Sequence, residues 1–234
     1  MRNIIKVVAT LSLLSLALND VVFLDYSETI QDYDMYVYSI QWGNTLCENN
    51  EQCKEKIKQL PKNIFTLHGL WPSFNDGSKV DECNKGQEID VVIKDQQLYN
   101  DMKTYWISYT STNKHFWNHE YNKHGYCYTQ RYNKTMDDFF DTAMGIYKRL
   151  SLDKLALNAL GDVKVAEKTY NYDELVGDFK KVLGDEFIDV ECKVINGKSY
   201  ITEVRFYLDL NFKPRVHHAP TQCKNGPIYV AFEQ

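Results

Sequence analysis

The sequence predicts a single α+β domain, because segments of helical and of strand character occupy different parts of the chain. The 234 residues are 44% hydrophobic, which is ample for one core and too short for two domains to be expected. Segments with helical periodicity lie in the middle, and segments rich in β-branched and aromatic residues lie toward both ends. Neither a long repeat nor a low-complexity linker divides the chain.

The N-terminus has the composition of a secretory signal peptide. Two basic residues precede an apolar run from Val7 to Leu18, and polar residues follow it. The run is too short to span a bilayer, and Ala17 or Asn19 is small enough for cleavage. A buried N-terminal core helix is the alternative. We predict a signal peptide at residues 1–19 and one folded domain at residues 20–234, with no membrane-spanning segment after the leader.

Two strands are predicted near the start of the domain. The segment Met35–Trp42 is rich in β-branched and aromatic residues. A second strand approaches His68, and the Gly69 and Pro72 that follow predict that it breaks there. His68 is therefore expected where a strand ends.

A hairpin is predicted in the C-terminal third. Two strand-like segments, Ile188–Val194 and Tyr200–Leu210, flank the dipeptide Asn196-Gly197. Asn-Gly is the dipeptide that tight hairpin turns favour, because both of its residues tolerate positive φ.

The helices are predicted from their caps. Asp95 is a suitable N-cap ahead of apolar residues at helical spacing. Thr135 and Asp138 have the spacing of a capping box. A further helix is predicted for Tyr172–Leu183, and Gly184 closes it.

The cysteines and the charge indicate the compartment and limit the partners. Six cysteines follow the leader, an even number that predicts three disulfides in an oxidising compartment. The sequence contains no CxxC pair, which argues against a structural zinc site. Asn133 begins an Asn-Lys-Thr sequon, which the secretory pathway can glycosylate. The net charge of −5 argues against general electrostatic binding of nucleic acid at neutral pH. A polyanionic substrate would need a locally positive site or an acidic pH.

A short segment, FWNHEYNKHGYC, concentrates ionisable groups. If it is a regular helix of about 100° per residue, four such groups fall within an arc of about 140°. They are His119, Glu120, Lys123 and His124. A solvated charged face is the alternative, but the aromatic residues beside the imidazoles favour a cleft.

A zinc-protease helix is the rival interpretation of the same residues. That motif needs histidines four apart, so that both reach one ion. Here His119 and His124 are five apart, and Lys123 occupies the position of the second ligand. Because an ammonium group would repel zinc, we expect no metal and no cofactor.

RNA cleavage by transphosphorylation uses these groups. It needs a base for the ribose 2′-hydroxyl and an acid for the leaving 5′-oxygen, and imidazoles serve both roles. An ammonium group such as that of Lys123 stabilises charge on the phosphate. The segment FTLHGLWP supplies a third imidazole, His68, and beside it Trp71 offers a surface on which a base can stack.

The motifs HGLWP and HEYNKHGYC together resemble those of the ribonuclease T2 family of acid endoribonucleases. The resemblance implies an antiparallel sheet packed against helices and cleavage of single-stranded RNA, without metal, through a 2′,3′-cyclic phosphate to a 3′-phosphate. It implies that His68 is the general acid and His124 the general base. It also implies that the phosphate is bound and stabilised by His119, Glu120 and Lys123.

The resemblance further implies the disulfide pairing and the cellular destination. The implied pairs are Cys47 with Cys53, Cys83 with Cys127, and Cys192 with Cys223. The expected protein is a monomer, secreted or held in a lysosomal or vacuolar lumen, with an acidic pH optimum. A secreted, non-catalytic protein of the same fold that binds RNA or protein is the alternative, but no catalytic imidazole is missing.

Base recognition is only partly implied. Phe116 matches an aromatic residue that lines the second base pocket of relatives, although a core role is an equal alternative. Gln41 is a further candidate at the border of a base pocket. Ser73 stands where fungal relatives often have Asp, so base preference is not implied. The remaining histidines, His115 and the pair at 217–218, are expected to be solvated.

Overall fold

The computed structural model describes residues 32–80, 83–84, 86–160, 169–184, 188–217, 223 and 226–231. The predicted signal peptide, residues 1–19, lies outside the described residues.

A six-stranded sheet is formed by the described residues. Its strands are β1 (Met35–Trp42), β2 (Phe65–Ser73), β3 (Thr169–Tyr170), β4 (Ile188–Ile195), β5 (Lys198–Leu208) and β6 (Ile228–Tyr229). Strands β2, β1, β5 and β4 are consecutive antiparallel neighbours. The short β6 runs parallel to the start of β5 and pairs with β3. The sheet is therefore mixed at this one contact and antiparallel elsewhere.

Helices occupy the middle of the chain, as predicted, and the fold is α+β. They are α1 (Gly43–Leu46), α2 (Glu51–Ile57), α3 (Gln96–Tyr105), α4 (Asn113–Glu120), α5 (Tyr126–Tyr132), α6 (Met136–Arg149), α7 (Leu155–Leu160) and α8 (Tyr172–Leu183). A π turn (Tyr121–Gly125) joins α4 to α5, and a 3₁₀ turn (Leu152–Lys154) precedes α7. None of the helices in the described ranges is long and apolar enough to cross a membrane.

The predicted caps and the hairpin turn are confirmed. The Asp95 side chain accepts a hydrogen bond from the backbone N–H of Leu98, and the capping box at Thr135 is complete. Asn196 and Gly197 connect β4 to β5 with φ of 50° and 76°. These contacts are local, which is why the sequence predicts them.

The core lies between one face of the sheet and the central helices. Tyr38 of β1 donates its hydroxyl to the carbonyl of Ala143 in α6 over 3.0 Å, and Tyr147 of α6 donates to the carbonyl of Phe65 in β2 over 2.5 Å. The ring of Phe139 in α6 also packs against Tyr121 at the start of the π turn. Helix α6 therefore holds the π turn against the sheet.

Strand β2 does not break at Gly69, so that prediction is wrong. The strand continues to Ser73, and its register with β1 shifts: Ser39 pairs with Gly69, whereas Ile40 pairs with Leu67. His68 is thus the extra residue of a β-bulge, which the glycine accommodates. Pro72 is tolerated because β2 lies at the edge of the sheet, with β1 as its neighbour.

The bulge changes which side chains share a face. In a regular strand His68 and Trp71, three residues apart, would point to opposite faces. The bulge reverses the alternation, and the two rings are in edge contact with centroids 4.9 Å apart.

The described residues contain three disulfides, with the pairing that the resemblance implied. They are Cys47–Cys53, Cys83–Cys127 and Cys192–Cys223. Cys127 lies one turn beyond His124, so its bond ties the end of the π turn to the loop that follows β2.

Candidate active site

The HEYNKHG segment is not a uniform α-helix. His119 and Glu120 end α4, whereas Lys123 and His124 lie in the π turn. In a π turn the hydrogen bonds run from i to i+5, so the backbone is wider than in an α-helix. Two residues five positions apart are then separated by a smaller angle about the helix axis than the angle of about 140° expected for a regular α-helix. The regular helix assumed from the sequence is therefore wrong at Tyr121–Gly125, where the π turn contains one extra residue.

The Trp71 indole contacts both of the predicted catalytic imidazoles. Its ring centroid is 4.9 Å from that of His68 and 5.7 Å from that of His124. The indole is almost entirely buried, and its N–H donates to Oε2 of Glu120 over 2.9 Å. One side chain of β2 therefore connects the two histidines with the carboxyl group of α4.

Glu120 is a buried carboxyl group with an unusual titration. Only 1% of the residue is exposed, and burial raises its pKa to about 7, against the opposing effects of His68 and of the hydrogen bond from Trp71. Its Oε1 lies 4.0 Å from Nε2 of His68. Near neutral pH this group can carry a proton and donate it to an acceptor oxygen.

His68 is held so that its charged form is favoured. Burial alone would lower its pKa, but the hydrogen bond to Glu203 and the negative charges of Glu120 and Glu203 outweigh burial and raise the pKa. The side chain is 30% exposed, so it remains accessible to solvent. A protonated, accessible imidazole is suited to donate a proton.

His124 has the opposite titration. It is 5% exposed, and burial, followed by the positive charges of Lys123 and His119, places its pKa well below the ordinary imidazole value. Among the described residues, none forms a hydrogen bond with its Nδ1. A neutral imidazole of this kind is suited to accept a proton.

His119 and Lys123 lie at the rim of the site. Both side chains are exposed, and both line a cavity of about 600 Å³ beside α4. Burial and the charge of Lys123 lower the pKa of His119. The rim thus brings the positive charge of Lys123 close to the buried His124, although the protein as a whole is acidic.

The residues predicted to bind bases occupy different environments. Phe116 is half-buried, with its ring centroid 5.7 Å from that of His68. Gln41 is buried, and its amide donates to the carbonyls of Leu67 and Ile107. These contacts give Gln41 a structural role that the sequence did not predict. The base-binding roles of Phe116, Gln41 and the buried Trp71 stay predictions.

The glycosylation sequon and the remaining histidines lie in different environments, and His115 lines the same cavity as His119 and Lys123. Asn133 is exposed in the left-handed conformation at the end of α5, and its glycosylation stays a prediction. His115 is exposed, whereas His217 is half-buried and packs against the Tyr207 ring. His218 lies outside the described residues.

Two charged residues of β5 also reach these side chains, and neither was predicted from the sequence. Nδ1 of His68 lies 2.7 Å from Oε1 of Glu203, and the Arg205 guanidinium lies 5.8 Å from the Trp71 ring centroid. The signal was available: residues two apart on a strand share a face, so Glu203 and Arg205 were expected to lie on the same side of β5. Within the described ranges, no group of three or more His, Cys, Asp or Glu side chains is placed to hold a metal ion.

Comparisons with known proteins identify relatives of the chain. The chain is 31% identical over 152 residues to Ribonuclease DdI of Dictyostelium discoideum, covering 65% of each chain. It is 26% identical over 157 residues to Ribonuclease 3 of Arabidopsis thaliana, covering 66% of this chain and 68% of that one. These alignments therefore span about two thirds of the relatives.

The fold has a solved counterpart in RNase NT, crystallised in complex with 5′-AMP. The TM-score is 0.67 at 22% identity, covering 87% of this chain and 100% of that one. A sequence model of the Ribonuclease T2 family matches residues 33–223. By this match, which includes both histidine motifs, the chain belongs to the ribonuclease T2 family.

Proposed function

We propose that the protein is an endoribonuclease that cleaves single-stranded RNA by metal-independent transphosphorylation. One observation carries the proposal: His68 and His124 contact the same indole, and their pKa values are shifted in opposite directions. Two neighbouring titratable groups whose environments separate their pKa values are suited to the roles of acid and base.

The first step forms a cyclic phosphate. Neutral His124 removes the proton of the ribose 2′-hydroxyl, and the 2′-oxygen attacks the adjacent phosphorus. The bond from phosphorus to the 5′-oxygen breaks, and protonated His68 donates its proton to that oxygen. The products are a 2′,3′-cyclic phosphate and a free 5′-hydroxyl, while His68 is left neutral and His124 protonated.

The phosphate charge is stabilised by the groups around the two histidines. Negative charge grows on the non-bridging oxygens in the transition state, and the Lys123 ammonium and the His119 imidazole at the rim are suited to stabilise it. Glu120, whose pKa is about 7, can donate a hydrogen bond to the same oxygens when it is protonated. This donation requires no metal ion.

The second step opens the cyclic phosphate with the roles reversed. Neutral His68 takes a proton from water, and the hydroxide oxygen bonds to phosphorus. The bond to the 2′-oxygen breaks, and protonated His124 supplies the proton for that oxygen. The product is a 3′-phosphate, and both histidines return to their starting protonation states.

An acidic working environment fits these titrations. His68 must be protonated at the start of the cycle, and Glu120 donates a hydrogen bond only below about pH 7. Acidic pH also reduces the repulsion between RNA and a protein with a net charge of −5. We therefore propose a secreted, glycosylated monomer, or one in a lysosomal or vacuolar lumen, with an acidic optimum.

One assay tests the activity. The purified protein is incubated with single-stranded RNA at about pH 5, with and without EDTA, and the new 3′ ends are analysed by mass spectrometry. We expect cyclic phosphates that convert slowly to 3′-phosphates, at the same rate in EDTA. The His68→Asn variant, purified in parallel, controls for contaminating ribonucleases. Intact RNA with the wild type would favour the non-catalytic alternative.

A further inference from the structure

The strongest polar contact of His68 comes from a strand far away in the sequence. Oε1 of Glu203, on β5, lies 2.7 Å from Nδ1 of His68, on the bulge of β2. Strand β1 separates the two strands, and the contact passes over its small residue Ser39. A larger residue at this position would stand between the two side chains.

The second oxygen of Glu203 is held on the opposite side. Its Oε2 accepts hydrogen bonds from Ser39 Oγ over 3.1 Å and from Arg205 Nε and Nη2 over 3.0 and 2.8 Å. Arg205 is itself held by Oε1 of Glu191 on β4, over 3.0 Å. The carboxylate is therefore fixed in rotation, with Oε1 directed at His68.

Glu203 remains ionised over the range in which an imidazole titrates. Burial alone would raise its pKa, but the hydrogen bond and charge of His68, together with Arg205, lower it to about 2. The carboxylate can then accept a hydrogen bond from Nδ1 in both protonation states of the ring. This fixes the tautomer of neutral His68, with Nε2 unprotonated on the side of Glu120.

We infer that Glu203 is a positioning residue for the general acid: it orients the His68 ring with Nε2 toward the scissile phosphate. The negative charge of Glu203, 2.7 Å from Nδ1, also favours the protonated ring. The inference rests on the proposed function and adds a residue that neither histidine motif contains. Glu203 does not need to touch RNA, because it acts through the far nitrogen of the ring.

Other charged groups also face His68 from the elements packed around it. They are Arg205 on β5, Glu120 and His119 on α4, and His124 in the π turn. Glu120 favours protonation of His68, whereas the cationic forms of the other three oppose it. Removal of the Glu203 charge therefore shifts the balance toward neutral His68.

The test is the Glu203→Gln substitution, which keeps the shape and removes the charge. We expect kcat on a dinucleotide to fall by about 10- to 100-fold, part of the ~10²–10⁴-fold that acid–base catalysis contributes. KM should stay near the wild-type value. The alkaline limb of the pH–rate profile should move to lower pH, and the NMR titration of the His68 ring should move in the same direction.

Glu191→Gln is the matched control. Glu191 lies on the neighbouring strand β4, and its carboxylate bonds to Arg205 and not to His68. The substitution therefore removes a negative charge beside the same arginine without removing a partner of His68. We expect its alkaline limb and its His68 titration to match those of the wild type. An effect as large as that of Glu203→Gln would assign the change to Arg205 and overturn the inference.

The NMR titration separates this inference from the activity. Unchanged His68 titration and an unchanged alkaline limb in Glu203→Gln would overturn the positioning role even if the wild type cleaves RNA. If the wild type is inactive, the proposed function fails, and the titration still decides whether Glu203 controls His68. If the variant unfolds, the ¹⁵N chemical shifts of His68 in the wild type identify the tautomer of its neutral ring. A proton on Nδ1 supports the inference, and a proton on Nε2 contradicts it.

Discussion

Oε1 of Glu120 lies 4.0 Å from Nε2 of His68, so a buried carboxyl group of α4 and an imidazole of β2 are direct neighbours. Each group stabilises the charged form of the other. The nitrogen of His68 that we propose as the proton donor therefore lies beside a carboxyl group whose own pKa is about 7. A phosphate bound here would meet two proton donors under mildly acidic conditions.

The pH dependence of kcat/KM should be bell-shaped, and the shifted pKa values of His68 and His124 should set its two limbs. Activity requires protonated His68 and neutral His124. Because the pKa of His68 is raised, the alkaline limb should lie above about 6.5, the ordinary imidazole value. Because the pKa of His124 is well below that value, the acid limb should lie at low pH. A rate that still rises above about pH 8 would contradict this assignment.

Removal of the general base should abolish most of the activity. We expect His124→Phe to lower kcat by ~10²–10⁴-fold, because the 2′-hydroxyl then loses its proton acceptor. Cleavage of a dinucleotide under saturating substrate measures the loss. Near-normal cleavage by His124→Phe would refute the role of His124.

Trp71→Phe should separate the two roles of the indole. Phenylalanine keeps an aromatic ring but removes the N–H that binds Glu120. Leaving the buried carboxyl group of Glu120 without this hydrogen bond corresponds to roughly a tenfold decrease in kcat or more, with KM retained. Trp117→Phe, which loses a buried indole bond to the carbonyl of Trp106, is the matched control. A rise in KM alone would indicate that Trp71 contacts a base.

Gly69→Ala tests the close contact between β2 and α4. A Cβ at this position would collide with Oε2 of Glu120 and Nε1 of Trp71. Because displacements of about 1 Å can cost ~10²-fold in rate, we expect kcat/KM to fall by about 10- to 100-fold. Gly145→Ala, where the new methyl meets no atom within 4 Å, should keep activity and raise the free energy of unfolding by up to about 1 kcal/mol. Full activity in Gly69→Ala would argue against a rigid contact.

The sequence predicted the features of the fold that short-range interactions determine. The caps at Asp95 and Thr135 and the turn at Asn196 depend on hydrogen bonds and dihedral angles within a few residues, so their patterns are legible without a fold. The two histidine motifs are equally local, and the acid and base proposed for the reaction come from them.

Only the tertiary structure determined how the side chains of the two histidine motifs are oriented. The bulge at His68 depends on the register between β2 and β1, and the π turn is held by packing against α6. The contact of His68 with Glu203 exists because β5 lies two strands away in the sheet, although it comes late in the chain. Register and strand order arise from the packing of distant segments, which no local pattern specifies.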